Sequence, residues 1–523
     1  MEQASFRDQE IVMRITTVIA VVWLLVTPSS FAQHEHHDHA PADLGNLGKV
    51  KFTTSCNEGA RREVTRGVAL IHSFWYVEAE KSFRAAAKLD DACGMAWWGV
   101  AMSNYHPVWQ PPTPDEFHTG AEAAVKAKVV GAKTDRERAY IDAINAFYAD
   151  GDRVPHPTRA LVYESAMEEV AASYPKDDEA SIFYALSLLG TASPNDKTYA
   201  KQKKAAAILN GVLPNELEHP GVAHYLIHSF DYPELASLAL PAARAYARIA
   251  PASPHALHMP SHIFTRLGLW DESIASNRAS RQKAHDYVIK QDPQMVSFDE
   301  LHAVDYLVYA YLQEGRDAEA KNLVDMVASV KKLDNLNFAA AYAIAAVPAR
   351  YALERRQWKE AAALTVPKNI SFEKFPYAEA HIHFARAIGA ARSGDLLTAH
   401  EATARLQSLQ RTLVEQKNVY WADQVEIQRL GAAAWLAQAE KKDTDALRMA
   451  QEAAAIEART EKHPVTPGAI VPARELLAEL LLENGRPAEA LTEIDRDLAS
   501  APNRKNALWL RARTQNQVAG LQK

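Results

Sequence analysis

Three histidines, His255, His258 and His262, fall within eight residues in the stretch PHALHMPSHIFTRLG at 254–268. On a helix, intervals of three and four place side chains on one face about a turn apart. Several imidazole nitrogens on one face can ligate a single metal ion, and a histidine set without thiolates suits Zn(II) or Cu(II). Upstream, His219 precedes an i, i+4 pair at His224 and His228. Downstream, His302 and Asp305 repeat the interval of three, with Glu300 and Tyr309 nearby as acid–base or supporting groups. Pro260 interrupts the pattern, because a proline inside a helix removes a backbone hydrogen bond. If a helix begins at Pro260, His255 and His258 lie in the loop before it.

The elements that must position these residues are helical repeats. Alanine-rich runs are frequent, glycine is sparse at 20 of 523 residues, and no stretch alternates like a strand. Gly67-x2-Leu70 followed by Ala79-x3-Phe83 and Ala86 resembles the tetratricopeptide helix–turn–helix, in which small residues let two helices approach and an aromatic fills the gap. A turn residue followed by a small residue five positions on recurs at Gly268…Ser273, Gly315…Ala320, Arg356…Ala361, Gly394…Ala399, Lys441…Ala446 and Gly485…Ala490. These anchors lie 38 to 47 residues apart, longer than the 34-residue consensus. The fold class expected is all-α, an α-solenoid of degenerate tetratricopeptide repeats. Two non-standard helices are expected within 115–149, and a rigid loop at Pro155-His156-Pro157. The array is read as 51–330 with the histidines, then 331–523 with more regular repeats.

HSFWYVEAEKSFRAAAKLDDACGMAWWGVAMSNYHPVW and HPGVAHYLIHSFDYPELA…PHALHMPSHIFTRLGLW together resemble a family of exported bacterial tetratricopeptide-repeat proteins, over most of 50–320. The resemblance implies the fold and an interaction role, and supplies neither substrate nor catalytic residues. With Gly268 and Gly315 as position 15 of their repeats, it implies that His255, His258, His262, His302 and Asp305 face one concave inner surface. His72 and His106, each beside aromatic residues, either line that groove or are satisfied structural residues. His219 is a further groove residue.

The net charge of −7 supplies no basic field, so a nucleic-acid partner is not expected. No P-loop, GxGxxG, HExxH, GxSxG or CxxCH motif is present. Arg14, the apolar run 17–26 and the small residues Ser30 and Ala32 read as an export signal cleaved after Ala32, with Met13 an alternative start. The run is short for a membrane span, so no stable insertion is expected after cleavage. The histidine-rich segment that follows, within 33–50, has little to bury and is expected to be disordered. The two cysteines, Cys56 and Cys93, are expected to form a disulfide in a periplasmic or secreted protein, a shared metal being the alternative. Two functions follow: a scaffold that binds a protein or peptide in its groove beside a Zn or Cu site, or a metal-dependent enzyme using the same histidines.

Overall fold

Helix packing begins with glycine. Phe83 is fully buried between the first helices, and a Cβ at Gly67 would lie 2.6 Å from its ring, one at Gly99 2.0 Å. Only glycine lets Glu58–His72, Tyr76–Leu89 and Gly94–Ser103 close on this aromatic. The computed structural model describes residues 44–108, 110–151 and 153–521. The expected export signal, its cleavage site and the histidine run 34–40 lie outside the described residues.

Successive helices pack as hairpins along the chain, and among the described residues the only strand-like pairing is an isolated bridge between Val296 and Leu333. The protein is an all-α solenoid of degenerate tetratricopeptide-type hairpins. Its repeat register is visible in the backbone. Gly268, Gly315, Gly394 and Gly485 all have positive φ, and Arg356 and Lys441 take the same left-handed turn at φ 57° and 64° without glycine. Phe74, five residues before Ala79, does so too at φ 52°.

Helices Pro114–Val130 and Asp135–Tyr148 occupy the stretch expected to hold two non-standard helices. The rigid loop expected at 155–157 is instead a helix start: Pro155 caps His156–Ser173, and Pro157 sits in the first turn, where its missing N–H costs nothing. Cys56 and Cys93 form a disulfide with Cα atoms 5.0 Å apart. It fastens an extended strap before the first helix. That strap starts inside the segment expected to be disordered, yet Leu47 is buried, and the backbones of Lys49 and Asn46 bond to Glu218 and Ala252.

Buried apolar residues form two clusters, over 47–264 and 270–510. The array curls until its C-terminal repeat meets its middle: the Trp270 indole donates to the Asn503 carbonyl at 3.1 Å. The connection 460–472 packs against residues of several repeats, among them Asp231 through Lys462 and Tyr306 through the carbonyls of Pro464 and Thr466. Arg350 holds it by donating to the carbonyls of Ala469 and Gly468, and Tyr420 by donating to that of Glu461. No helix among the described residues is long and apolar enough to cross a membrane.

Candidate metal centre

His224 and His228 sit one turn apart on Pro220–Phe230, a helix buried at every position, with Pro220 in its first turn. The 254–268 stretch forms two abutting helices, Pro254–His258 and Pro260–Arg266, joined at Met259 with helical φ and ψ. Pro260 therefore interrupts the hydrogen bonding but not the path of the chain. His255 stays helical, and its side chain separates from the other two. It joins His224 and His228, while His258 and His262 join His302 of Phe298–Gln313.

The six imidazoles do converge, but not on an open groove surface. His228 is 7% exposed and the other five 6% or less. The concave face that the repeat register predicts for them is covered by the 460–472 connection and by Phe74. The left-handed turn at Phe74 aims its ring at His224, His228 and His255, with centroids 4.3, 5.6 and 5.4 Å away.

In the first trio, His224 Nδ1 donates to the His72 carbonyl at 2.7 Å, which leaves Nε2 as a bare lone pair. The Nε2 atoms of His228 and His255 both stand 3.1 Å from it. One lone pair accepts one good hydrogen bond, and here two imidazole nitrogens face it. The second trio is more constrained. His262 Nδ1 donates to the Asp231 carboxylate at 2.9 Å. His258 Nδ1 donates to Asn277 Oδ1 at 2.6 Å, and the Asn277 amide is oriented by its own donation to the Ser273 carbonyl. Both Nε2 atoms are thereby acceptors, yet they lie 3.0 Å apart. The Tyr306 hydroxyl stands 3.4 Å from His262 Nε2, but its one proton is shared with the carbonyls of Pro464 and Thr466 at 3.0 Å each. Two buried lone pairs at 3.0 Å repel, and an acceptor left unmet costs about 1–3 kcal/mol. A cation between them removes the conflict. Nitrogen–metal bonds of about 2.0–2.1 Å at tetrahedral angles set neighbouring ligand nitrogens about 3.3 Å apart, close to both spacings.

A proton is the poorer cation here. Burial pushes all six imidazoles below their usual range, His228 to about 3, and the neighbouring imidazoles push His224, His255, His258 and His302 the same way. The set is neutral at neutral pH, which is the form that binds metal.

A third cluster, His72, Glu179 and His219, has metal-like spacing but a closed account of protons. Both imidazoles donate Nε2–H to Glu179, at 3.0 and 2.9 Å. His72 Nδ1 accepts from Tyr225, and His219 Nδ1 caps Pro220–Phe230 by accepting from the Val222 amide. The two imidazoles hold the Glu179 carboxyl well below the usual carboxylate range against the effect of its burial. Nothing in this cluster calls for an ion, and His72 serves the first trio only through its carbonyl.

Other expected groove residues are placed elsewhere. Glu300 pairs with Arg281 and His285, each at 3.2 Å. Asp305, one turn along from His302, turns toward Arg350 at 3.4 Å, and Tyr309 accepts from Arg504 at 3.0 Å. His106 is buried against Tyr76, 4.5 Å between ring centroids, in a left-handed turn away from the trios. Sequence reasoning missed the supports Asp231 and Asn277, the ring of Phe74, and Tyr306, which packs 4.7 Å from His258 and 5.1 Å from His262. Phe74 left one trace, a bulky residue at a turn position where other repeats hold glycine. Asp231 lies just past the helix of His224 and His228, and it also accepts from Arg266 and Lys462.

The outer wall of the centre is thin. A cavity of about 220 Å³, lined by Val108, Pro194, His228, Asp231, Lys462 and His463 among others, reaches the first trio at His228 and the second at its Asp231 support.

No protein-family profile matches the chain, and no curated protein does. Among solved structures it is similar to a human IFIT1 dimer with PPP-AAAA, at 15% identity and TM-score 0.39, covering 89% of this chain and 96% of that one. It is similar also to the P58(IPK) TPR domain, at 11% identity and TM-score 0.22, covering 89% and 99%. The APC/C hetero-tetramer Cut9–Hcn1 matches at 11% identity and TM-score 0.27, covering 87% and 96%. The expectation that nucleic acid is not a partner gains nothing from this set, and rests on net charge alone.

Proposed function

We propose that this protein is an exported helical-repeat scaffold that holds a transition metal, zinc or copper, in its buried histidine cluster. The observation that carries the reading is the His258–His262 pair. Asp231 and Asn277 commit both Nδ1 protons outward, so the two Nε2 lone pairs face each other. Backing of this kind orients a ligand imidazole and raises its basicity. The Cys56–Cys93 disulfide supports an oxidising compartment such as the periplasm or the cell exterior. The scaffold part rests on the repeat array, whose curved faces suit protein or peptide partners. A cavity of about 580 Å³ beside Tyr342, Tyr420, Trp421, Gln424 and Gln428 offers aromatic and amide groups to such a partner.

One observation favours a metal-dependent enzyme as the second reading. Three nitrogen ligands leave a coordination position open, and the cavity at His228 gives a small molecule a way in. The test of the main reading is metal content. The mature chain from residue 33, purified without a tag and with the 34–39 histidines deleted, should retain zinc or copper through dialysis when assayed by plasma mass spectrometry. A metal-free protein that takes up neither ion tightly would overturn it.

A further inference from the structure

We infer that the two histidine trios form a paired site that holds two cuprous ions side by side, in preference to zinc. The inference rests on the metal-binding reading above and specifies its stoichiometry and ion. The pairing follows from how the trios abut. His255 lies 6.2 Å from His258 between ring centroids, and His228 lies 6.3 Å from His262. These spacings match those inside a trio, which run from 4.3 Å for His258–His302 to 6.4 Å for His262–His302. The shared wall is made of ligand rings, with no other side chain needed to divide it. Each trio has its own aromatic cover, Phe74 on one side and Tyr306 on the other.

The choice of ion follows from charge. Neither trio includes a carboxylate or a thiolate, so all six ligands are neutral. The nearest acid, Asp231, is already shared by Arg266 and Lys462, and brings no surplus negative charge. Two divalent ions would bury four positive charges among six neutral ligands, next to an Arg266–Lys462–Asp231–Glu461 group that is already balanced. Two cuprous ions bury half as much, and burial of unbalanced charge is costly. Three imidazole nitrogens also form a coordination set that monovalent copper accepts at trigonal geometry, and imidazole is a donor that suits copper as well as zinc, so the preference between the ions rests on charge.

The experiment is an anaerobic titration of the metal-free mature chain, lacking the 34–39 histidines, with cuprous ion against a chromogenic copper chelator. A parallel competition uses equal copper and zinc. Two coppers per chain are expected, retained in preference to zinc in the equal-metal competition. X-ray absorption of the copper-loaded wild type should show nitrogen-only donors with a copper neighbour. The paired variants H224Q/H228Q and H258Q/H262Q should each keep one copper, with circular dichroism checking the fold. If either pair fails to fold, the wild-type absorption spectrum decides. One copper per chain without a metal neighbour, or zinc retained against copper, overturns this inference and leaves the metal-binding reading standing. Retention of neither ion overturns both.

Discussion

At the scale of single residues, chemistry here is decided by where each imidazole proton is spent. Asn277 and Asp231 turn the Nε2 lone pairs of His258 and His262 toward each other, as the proposed metal site requires, whereas Glu179 takes a proton from each of His72 and His219 and leaves them structural. The two clusters should therefore separate in a mutational test. Asp231→Asn should weaken metal retention about 10–100-fold, while Glu179→Gln should cost stability and leave the metal count unchanged. Plasma mass spectrometry with a thermal melt on each variant checks both. Acid sensitivity follows from the same protons. The six imidazoles have folded pKa values below the unfolded 6.5, so their contribution is present above pH 6.5 and is lost as pH falls toward about 3, the His228 value. Burial raises Asp305 to about 6, Asp299, Glu457 and Asp497 to about 7 and Glu475 to about 8, and such acids work the other way, stabilising below their unfolded values and losing that as pH rises through 6 to 8. Urea midpoints of the metal-free protein should therefore peak near pH 6–7 and fall on the acid side. Imidazole proton resonances read by NMR separate the two contributions: any of the six titrating near 6.5 in the folded protein would contradict neutral, buried imidazoles.

At the scale of elements, the hairpins close on glycine and alanine where an aromatic needs room, and they turn through left-handed residues. Gly99 and Gly211 offer a controlled comparison, since both are helical glycines. A Cβ at Gly99 would overlap the Phe83 ring at 2.0 Å, whereas one at Gly211 meets nothing within 4 Å. Gly99→Ala should lower stability by about 1–3 kcal/mol through overpacking. Gly211→Ala should be neutral or raise it by about 0.5–1 kcal/mol. Denaturant melts of the two variants measure the difference. Most repeat elements were legible in the sequence because each is marked locally: Ala79 and Phe83 at fixed spacing, and a turn residue five positions before the small one. The helix start at His156 was not, because Pro155 and Pro157 read as loop residues until the capping position is known.

At the scale of the whole molecule, the curl of the array turns a groove into an interior. Its closure relies on buried charge. Arg504, 1% exposed, joins the last repeat to earlier ones through Glu354 at 2.9 Å, Glu475 at 3.0 Å and the Tyr309 hydroxyl. Arg504→Ala removes the buried counter-charge of Glu354 and a hydrogen-bond donor to Glu475, whose carboxyl burial already raises to about 8; losing one partner of a buried pair costs about 3–5 kcal/mol. We expect a lower thermal midpoint, with the 460–472 connection loosened and more sensitive to limited proteolysis than in the wild type. An unchanged midpoint would show that the closure does not depend on this network.

The sequence by itself determined the helical class, the repeat register, the disulfide partners and the ligand-type residues, because each is written in local spacing or residue chemistry. Helical periodicity even placed His224 with His228 and His258 with His262. Only the tertiary structure decided that His255 belongs with the first pair and His302 with the second. It also decided that Asp231 and Asn277, rather than Glu300 and Tyr309, stand behind the clustered imidazoles, and that Phe74 and the 460–472 connection cover them except at the cavity beside His228. Those outcomes depend on the curvature summed over many repeats, which brings residues more than 200 positions apart into contact, as Lys462 meets Asp231. No local pattern encodes that sum.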